Sequence, residues 1–294
     1  MRSKLKFSQL VLLAVSCTLF HPTLAQTDDS LVAKIRKAGE IKGALASAPP
    51  YLVISPDGKA TGYTIDLANL VVKGMGLPEI TPVQLGWSAQ IPAMLARQVD
   101  FVSVGYTYLP ASCENVVYSG PIFAQHYAFY VPSGNPARIT GSPQIGQNPN
   151  IKIAAVALGP ESPQLRYMLE QGIKREQLMS VPDFNAGVAA VLAGRANALL
   201  LGQFIISRPE QKGLDVIVDK GGPVSGNGYV FRKEDVAFRD AFNKQLNELR
   251  SNGTMKEMLI KALEENGVAK KDAIANWDVL SKLTKASDLL SSCE

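Results

Sequence analysis

The chain has 294 residues, 46% of them hydrophobic, so it can bury the core of one large or two small domains. Its 30 Lys and Arg residues are nearly balanced by 26 Asp and Glu residues, which excludes a strongly basic surface suited to nucleic acid. The two histidines and three cysteines follow no zinc-binding spacing. We therefore expect no nucleic-acid partner, no bound metal and no organic cofactor.

The N-terminus has the features of a secretory signal peptide. Three basic residues within the first six precede the apolar stretch LVLLAVSCTLF, which is too short to span a bilayer. Small residues at Thr23 and Ala25 then fit a cleavage site, so we predict a signal peptide over residues 1–25. We expect the mature protein in the periplasm. A lipoprotein site usually has Leu three residues before its cysteine, and this chain has Ala14 there, so we do not expect lipid anchoring at Cys17.

Cys113 and Cys293 are the two cysteines that follow the predicted signal peptide. Export places them in an oxidising compartment, where an exposed free thiol is a liability. We therefore predict one disulfide between Cys113 and Cys293, which would tie the C-terminal tail to the middle of the chain. The alternative is two unpaired thiols.

The first half of the chain alternates between helices and strands. Apolar, β-branched runs predict strands, and apolar residues three and four apart predict helices. In chain order the segments are a helix and a strand in SLVAKIRKAGEIKGALA, a helix in GYTIDLANLVVKGMG, a strand in ITPVQL, a helix in QIPAMLARQ and a strand in VDFVSVG. Between the first strand and the second helix, PDG at 56–58 is a turn signal that suits a hairpin.

The second half repeats this alternation after an extended segment, HYAFYVPSGN. NPARITGSPQIGQNPN is rich in Gly, Pro and Asn and is predicted to be a loop. Strands are then predicted in IKIAAVALG, QLMSV and NALLLG, and helices in ESPQLRYMLEQG and in NAGVAAVLAGRA with Asn185 as its cap. The extended segment GNGYVFRK precedes two helices broken at Gly253 and a polar, partly helical tail. This order predicts an α/β protein with two open parallel-sheet lobes.

Several stretches in this order resemble the bacterial extracellular solute-binding proteins of the polar amino-acid uptake class. They are PPYLVISPDGKATGYTIDLANLV, WSAQIPAMLARQVDFVSVG, YTYLPASCENVVYSGPIF, FNAGVAAVLAGRANALLLG, GYVFRKED and ELRSNGTMKEML, within about residues 31–260. The resemblance implies a type II periplasmic binding protein fold, in which two lobes joined by two crossing strands close over a small polar solute. We expect lobe 1 at 27–128 and 231–294 and lobe 2 at 129–230. It also implies docking on an inner-membrane ABC permease, and we expect a monomer.

The resemblance places the ligand at turns that follow the strands of both lobes. Aromatic side chains would form walls, and backbone N–H groups at the second-lobe turn would hold an anion or a carbonyl oxygen. Tyr108 is a further candidate for an aromatic wall. Each of these aromatic residues could equally be part of the packed core. The predicted ligand contacts are Tyr51, Trp87, Gly105, Tyr106, Thr107, Ser112, Gly159, Glu161, Ser162 and Gln203.

Two positions depart from the family pattern. The lobe 1 turn usually reads Gly-x-Thr-x-Thr-Pro-x-Arg, with an Arg that binds the α-carboxylate of the ligand, and this chain has Ser112 there. After the later strand, Gly202 stands where the family has an Asp that holds the α-ammonium. Because a charge inside a closing cleft is costly unless it is paired, we predict a small polar solute that is not an ordinary α-amino acid.

Two other functions remain open. An accessory or sensor protein of this fold without transport would suit the unusual tail after Leu263. An enzyme similar to cyclohexadienyl dehydratase would need an acid in the cleft, for which Glu161 is the candidate. Such an enzyme's substrates carry carboxylates, and the missing Arg disfavours them. We therefore expect a binding protein without catalytic activity.

Overall fold

The computed structural model describes residues 30–49, 51–156 and 163–293. The predicted signal peptide lies outside this range, and so do three predicted ligand contacts, Gly159, Glu161 and Ser162. The helices within the described residues are α1 (Leu31–Ala38), α2 (Tyr63–Gly74), α3 (Trp87–Leu95), α4 (Pro110–Cys113), α5 (Ser142–Gln147), α6 (Pro163–Glu170), α7 (Phe184–Leu192), α8 (Val236–Ser251), α9 (Thr254–Glu265) and α10 (Lys270–Leu280).

The strands of the same residues follow the predicted alternation. They are β1 (Ile41–Leu45), β2 (Val53–Ile54), β3 (Ala60–Thr61), β4 (Ile80–Gln84), β5 (Phe101–Thr107), β6 (Val116–Tyr118), β7 (Phe123–Pro132), β8 (Ile153–Val156), β9 (Leu178–Val181), β10 (Ala198–Gly202), β11 (Leu214–Val218) and β12 (Val224–Arg232). β2 and β3 pair antiparallel around the predicted turn. The mixed α/β class is confirmed.

Two local expectations were wrong, and one strand was not predicted. The segment predicted to be a loop contains α5, because Ile145 is fully buried and its apolar contacts outweigh the Gly and Pro content. The cap of α7 is Asp183, whose side chain accepts from the Ala186 N–H at 2.8 Å, and Asn185 lies inside the helix. β11 was not predicted. Its sequence, LDVIV, has the composition of a strand, but it directly follows a charged 3₁₀ turn, which obscured the apolar pattern.

One path of strands runs through both lobes in the order β4-β1-β5-β12-β7-β10-β8-β9. Parallel strands build the outer parts, β4-β1-β5 on one side and β10-β8-β9 on the other. The two crossing strands, β7 and β12, pair antiparallel at the centre, from Val224↔His126 to Asn227↔Phe123. This is the two-lobe fold of type II binding proteins.

Each lobe has its own hydrophobic core. In lobe 1, aromatic rings from β5, β12 and α8 pack together, with Phe101 stacked on Phe231 at 5.6 Å between ring centroids. In lobe 2, successive residues of β7 enter different cores, because neighbouring strand residues point to opposite faces. Phe129 packs on one face of the sheet, and Tyr130 packs on the other.

The C-terminal segment after α9 packs across the crossing strands. Asn276 on α10 donates from Nδ2 to the Ala124 carbonyl at 2.5 Å, and the Trp277 side chain is buried. Farther along, Leu289 lies so close to Gly226 that a side chain at that position would not fit. The predicted disulfide between Cys113 and Cys293 is confirmed and fixes the end of this segment to lobe 1, with 4.9 Å between the Cα atoms. Among the described residues, no helix combines the length and hydrophobicity required to cross a bilayer.

Reduction of this disulfide should destabilise the protein. The bond closes a loop with a sequence separation of 180 residues, so its loss restores much conformational freedom to the unfolded chain. We expect Cys293→Ser to lower the free energy of unfolding by about 2–5 kcal/mol, measured by urea denaturation. Wild-type protein with a phosphine reductant should match the variant, and the variant itself should not respond to the reductant. Equal stability of the oxidised and reduced wild type would contradict the prediction.

Candidate functional site

The turn after β5 carries polar groups that the second crossing strand orients. Apolar residues of β5 are buried up to Val104, and the backbone then emerges at Gly105. Asn227 on β12 donates from Nδ2 to the Thr107 hydroxyl oxygen at 2.9 Å and to the Gly105 carbonyl at 3.4 Å. Thr107 Oγ1 therefore acts as an acceptor here and keeps its own proton for another acceptor. The sequence analysis did not predict a role for Asn227. The one feature that could have indicated it is its position between two glycines, Gly226 and Gly228, in a crossing strand.

Trp87 and Tyr106 form one aromatic wall. Trp87 is the first residue of α3, and Tyr106 lies near the end of β5. Their ring centroids are 6.1 Å apart with an interplanar angle of 50°, and the Tyr106 hydroxyl donates to the Trp87 carbonyl at 3.3 Å. Trp87 remains 42% exposed, an unusual amount for so large an apolar side chain. The structure thus brings two predicted contacts together at a surface open to a solute.

Tyr51 connects the two lobes through its hydroxyl. That hydroxyl donates to the Phe204 carbonyl at 2.7 Å and accepts from Asn266 Nδ2 at 3.0 Å. The ring packs edge-on against Phe123 with 4.8 Å between centroids, and the side chain is only 7% exposed. Burial raises the pKa of Tyr51 well above its usual range, so the phenol stays protonated and able to donate.

Tyr108 has a structural role. Its side chain is buried, its hydroxyl donates to the Ser119 carbonyl at 2.9 Å, and its ring packs edge-on against Tyr118. Burial also raises the pKa of Tyr108 well above its usual range. The ring lies against Gly226 and Gly228, where side chains on β12 would collide with it. The glycines of the second crossing strand thus make room for a packed tyrosine.

Ser112, which we predicted to stand in place of the family's carboxylate-binding Arg, lies on the short helix α4. The nearby Tyr118 phenol donates to the Thr107 carbonyl at 3.2 Å. Burial raises the pKa of Tyr118 to about 12, so this phenol is neutral at physiological pH. Ser112 therefore provides a neutral hydroxyl at the position where the family pattern predicts the guanidinium of an Arg.

Gly202, which we predicted to stand in place of the family's ammonium-binding Asp, is covered by the side chain of Gln125. Gly202 ends β10 and pairs with Tyr127 of β7, so any side chain there would point to the same face as Gln125. A Cβ at Gly202 would lie well inside van der Waals contact with the Gln125 amide. The Gln125 Oε1 accepts from the Phe204 N–H at 3.4 Å, which fixes the amide in that place. Sequence reasoning missed Gln125 because only the strand register reveals the contact.

Gln203, the remaining predicted contact, follows Gly202 in the chain and has a different environment. Its N–H donates to the His126 carbonyl at 3.0 Å. Its side-chain Oε1 is buried and has no hydrogen-bond partner within residues 30–49, 51–156 and 163–293. In those same ranges no group of three or more His, Cys, Asp and Glu side chains is arranged to hold a metal ion.

These features fit a protein that holds a solute between two lobes, and comparison with known proteins gives the family. The model of the bacterial extracellular solute-binding proteins, family 3, matches residues 41–265. The chain belongs to this family. The segment that packs across the crossing strands, from Asn266 onward, follows the matched residues.

Individual relatives are distant but cover most of the chain. A probable amino-acid ABC transporter periplasmic-binding protein, y4tE of Sinorhizobium fredii, is 27% identical over 77% of this chain and 78% of its own length. The lysine/arginine/ornithine-binding periplasmic protein of Escherichia coli is 25% identical over 74% of this chain and 84% of its own. Among solved structures, EhuB in complex with hydroxyectoine is similar, with 28% identity, a TM-score of 0.67, and coverage of 85% of this chain and 97% of EhuB.

Gly202→Ala should displace the Gln125 amide. The end of Gln125 is flexible, so the cost is mainly the lost hydrogen bond to Phe204, about 1 kcal/mol in the free energy of unfolding. In a Gln125→Ala background the same substitution should cost close to nothing, as a double-mutant cycle by urea denaturation would measure. Gly221→Ala is the control, because that position has open space around it. Equal costs in both backgrounds would show that Gln125 does not fill this space.

Proposed function

We propose that this protein is the periplasmic receptor of an ABC importer and that its ligand is a small polar solute other than an ordinary α-amino acid. Membership of the solute-binding family and the likeness to importer receptors support the first part. The observation that carries the second part is the Gln125 amide, which fills the space beside Gly202. The receptor would act with an inner-membrane permease.

The second part follows from charge. A neutral amide can donate and accept hydrogen bonds, but it cannot compensate the charge of an ammonium as an aspartate does. At the other half of the clamp, the Ser112 hydroxyl is likewise neutral. An ordinary α-amino acid enclosed between these groups would lose solvation of both charges without gaining either partner.

The aromatic wall indicates what replaces the clamp. Exposed faces of Trp87 and Tyr106 suit a cation with a dispersed charge or a flat, weakly polar solute. The Thr107 hydroxyl, held by Asn227, adds a donor close to this wall. Betaines and ectoines have a delocalised or alkylated cation that suits such a wall better than a primary ammonium does. They also carry a carboxylate, which the Thr107 hydroxyl would have to bind in place of the family's Arg. The likeness to a hydroxyectoine complex supports testing them first.

Binding would act on the two lobes, which we propose to consist of residues 27–128 with 231–294 and of residues 129–230. Both crossing strands run through these boundaries, so a solute that contacts both lobes would favour the closed arrangement. The proposal contains no catalytic step. Glu161, the candidate acid of an enzyme, lies outside the described residues.

A thermal-shift screen of the mature protein tests the ligand class. The panel comprises α-amino acids, polyamines, betaines, ectoine and hydroxyectoine, amino-acid derivatives, and small sugars. A ligand at about 100 times its dissociation constant should stabilise the protein by about 2.7 kcal/mol, a shift of several degrees. We expect the largest shift from a betaine or an ectoine. A larger shift from an ordinary α-amino acid would overturn the ligand assignment, and silence across the panel would favour the accessory-protein alternative.

Trp87→Ala tests the aromatic wall with the ligand that the screen identifies. We expect the dissociation constant to rise about tenfold or more in calorimetry, because the exposed indole face would be lost. Leu95→Ala on the same helix is the matched control, because Leu95 is also exposed, at 46%, and should leave affinity unchanged. If the two variants bind alike, Trp87 does not contact the ligand.

A further inference from the structure

Phe123, the first residue of the crossing strand β7, lies in one row with two polar side chains. Asn227 on β12 pairs with Phe123 on one side and with Thr107 of β5 on the other. Residues that pair directly across neighbouring strands share a face of the sheet, so these three side chains lie on one face. Thr107 is a predicted ligand contact, and Asn227 binds its hydroxyl. Phe123 therefore shares a face of the sheet with a predicted ligand contact, although the sequence analysis did not single it out.

Two tyrosines hold the ring of Phe123 in place. Tyr51 and Tyr63 pack edge-on against it, with 4.8 Å and 4.9 Å between the ring centroids. Both tyrosines are buried, and their hydroxyls donate to the carbonyls of Phe204 and Ile122. Phe123 itself is only partly buried. The packing thus fixes the orientation of one aromatic ring and leaves part of its surface uncovered.

Gly105 leaves the edge of this ring open. A Cβ built at Gly105 would lie 3.7 Å from Phe123 Cδ2, 3.5 Å from Asn227 Cβ and 3.4 Å from Ile122 Cδ1, which are ordinary van der Waals distances. Gly105 also lies within β5, where the backbone is extended and any residue is allowed. Neither packing nor backbone conformation therefore requires a glycine here. An alanine would fit the fold and would cover part of the Phe123 ring.

We propose that Phe123 is the floor of the solute site, that Gly105 keeps this floor accessible, and that the floor selects solutes with an alkylated cation. The inference rests on the proposed function and adds a specificity-determining residue to it. The face of an aromatic ring attracts a cation. A primary ammonium has three N–H donors that need acceptors when it is desolvated, and a phenyl ring does not replace them, whereas an alkylated ammonium has none to satisfy. The Thr107 hydroxyl in the same row is available to donate to a carboxylate of the solute.

The probes are glycine betaine and glycine, which share a carboxylate and differ in the methylation of the amine. Calorimetry on the mature, oxidised protein should show saturable binding of the betaine and at least fivefold weaker binding of glycine. Phe123→Leu keeps an apolar side chain but removes the aromatic face, and it should weaken betaine binding about fivefold or more. Phe101→Leu is the matched control, because Phe101 lies on β5 but is fully buried in the lobe 1 core. It should lower stability to urea and leave betaine affinity unchanged.

Gly105→Ala tests the open edge without disturbing the core. Its methyl group would make only ordinary contacts, so the Tm should not fall, but betaine affinity should fall about fivefold because the methyl group separates the solute from the ring.

The outcomes separate this inference from the proposed function. If wild type prefers the betaine but Phe123→Leu and Gly105→Ala both bind it unchanged, the floor is wrong and the ligand class stands. Equal affinity of wild type for betaine and glycine would overturn the selection by Phe123. Binding of neither probe would also overturn the floor, and the thermal-shift screen would then decide on the ligand class separately.

Discussion

The antiparallel pairing of β7 with β12 is the constraint on which the rest of the structure depends. It joins the sheets of the two lobes and also fixes which face of β7 each side chain occupies. Gln125 and Tyr127 point to one face, and His126 and Ala128 point to the other. A register slip of one residue would exchange the two sets and bring His126 to Gly202. The side chains on the two faces of β7 are therefore placed by its register with both neighbours, β12 and β10.

The C-terminal segment covers an edge of this central sheet. β10 ends at Gly202, opposite Tyr127, and beyond it the Gln203 N–H still donates to the His126 carbonyl. Within the described residues no strand pairs with residues 123–126 of β7 on that side. Asn276 supplies one hydrogen bond there, to the Ala124 carbonyl. An unpaired buried carbonyl is costly, so a helix that brings an amide side chain to it stabilises the crossing strand. The disulfide at the end of the segment keeps the helix in place.

The same segment also binds both lobes to each other. The Asn266 side chain donates to Tyr51 of lobe 1 and to the Phe204 carbonyl of lobe 2. The backbone carbonyl of Asn266 accepts from the Ser207 hydroxyl at 3.2 Å. Any opening that separates Tyr51 from Phe204 must break bonds worth roughly 1 kcal/mol each. Hydrogen bonds within the protein therefore stabilise the present arrangement of the lobes, in addition to any contribution from a bound solute.

The sequence predicted the alternation of strands and helices because buried parallel strands have a local, apolar signature, as in VDFVSVG and IKIAAVALG. It also predicted the disulfide, because only two cysteines follow the predicted signal peptide. It did not predict that Gln125 covers Gly202 or that Asn227 orients Thr107. Those contacts join residues 77 or more positions apart, and they depend on strand register, which no local pattern specifies.

In the proposed receptor, ligand choice and lobe movement would be linked through one residue, Gln125. In the family pattern the side chain after the second-lobe strand reaches the solute directly. Here the space beside Gly202 is filled from Gln125, which belongs to a crossing strand and also holds the Phe204 N–H. Phe204 in turn is bound by Tyr51 and Asn266. A solute that displaced the Gln125 amide would disturb the same group of hydrogen bonds, so under the proposed function recognition at this position would be coupled to closure by direct contact.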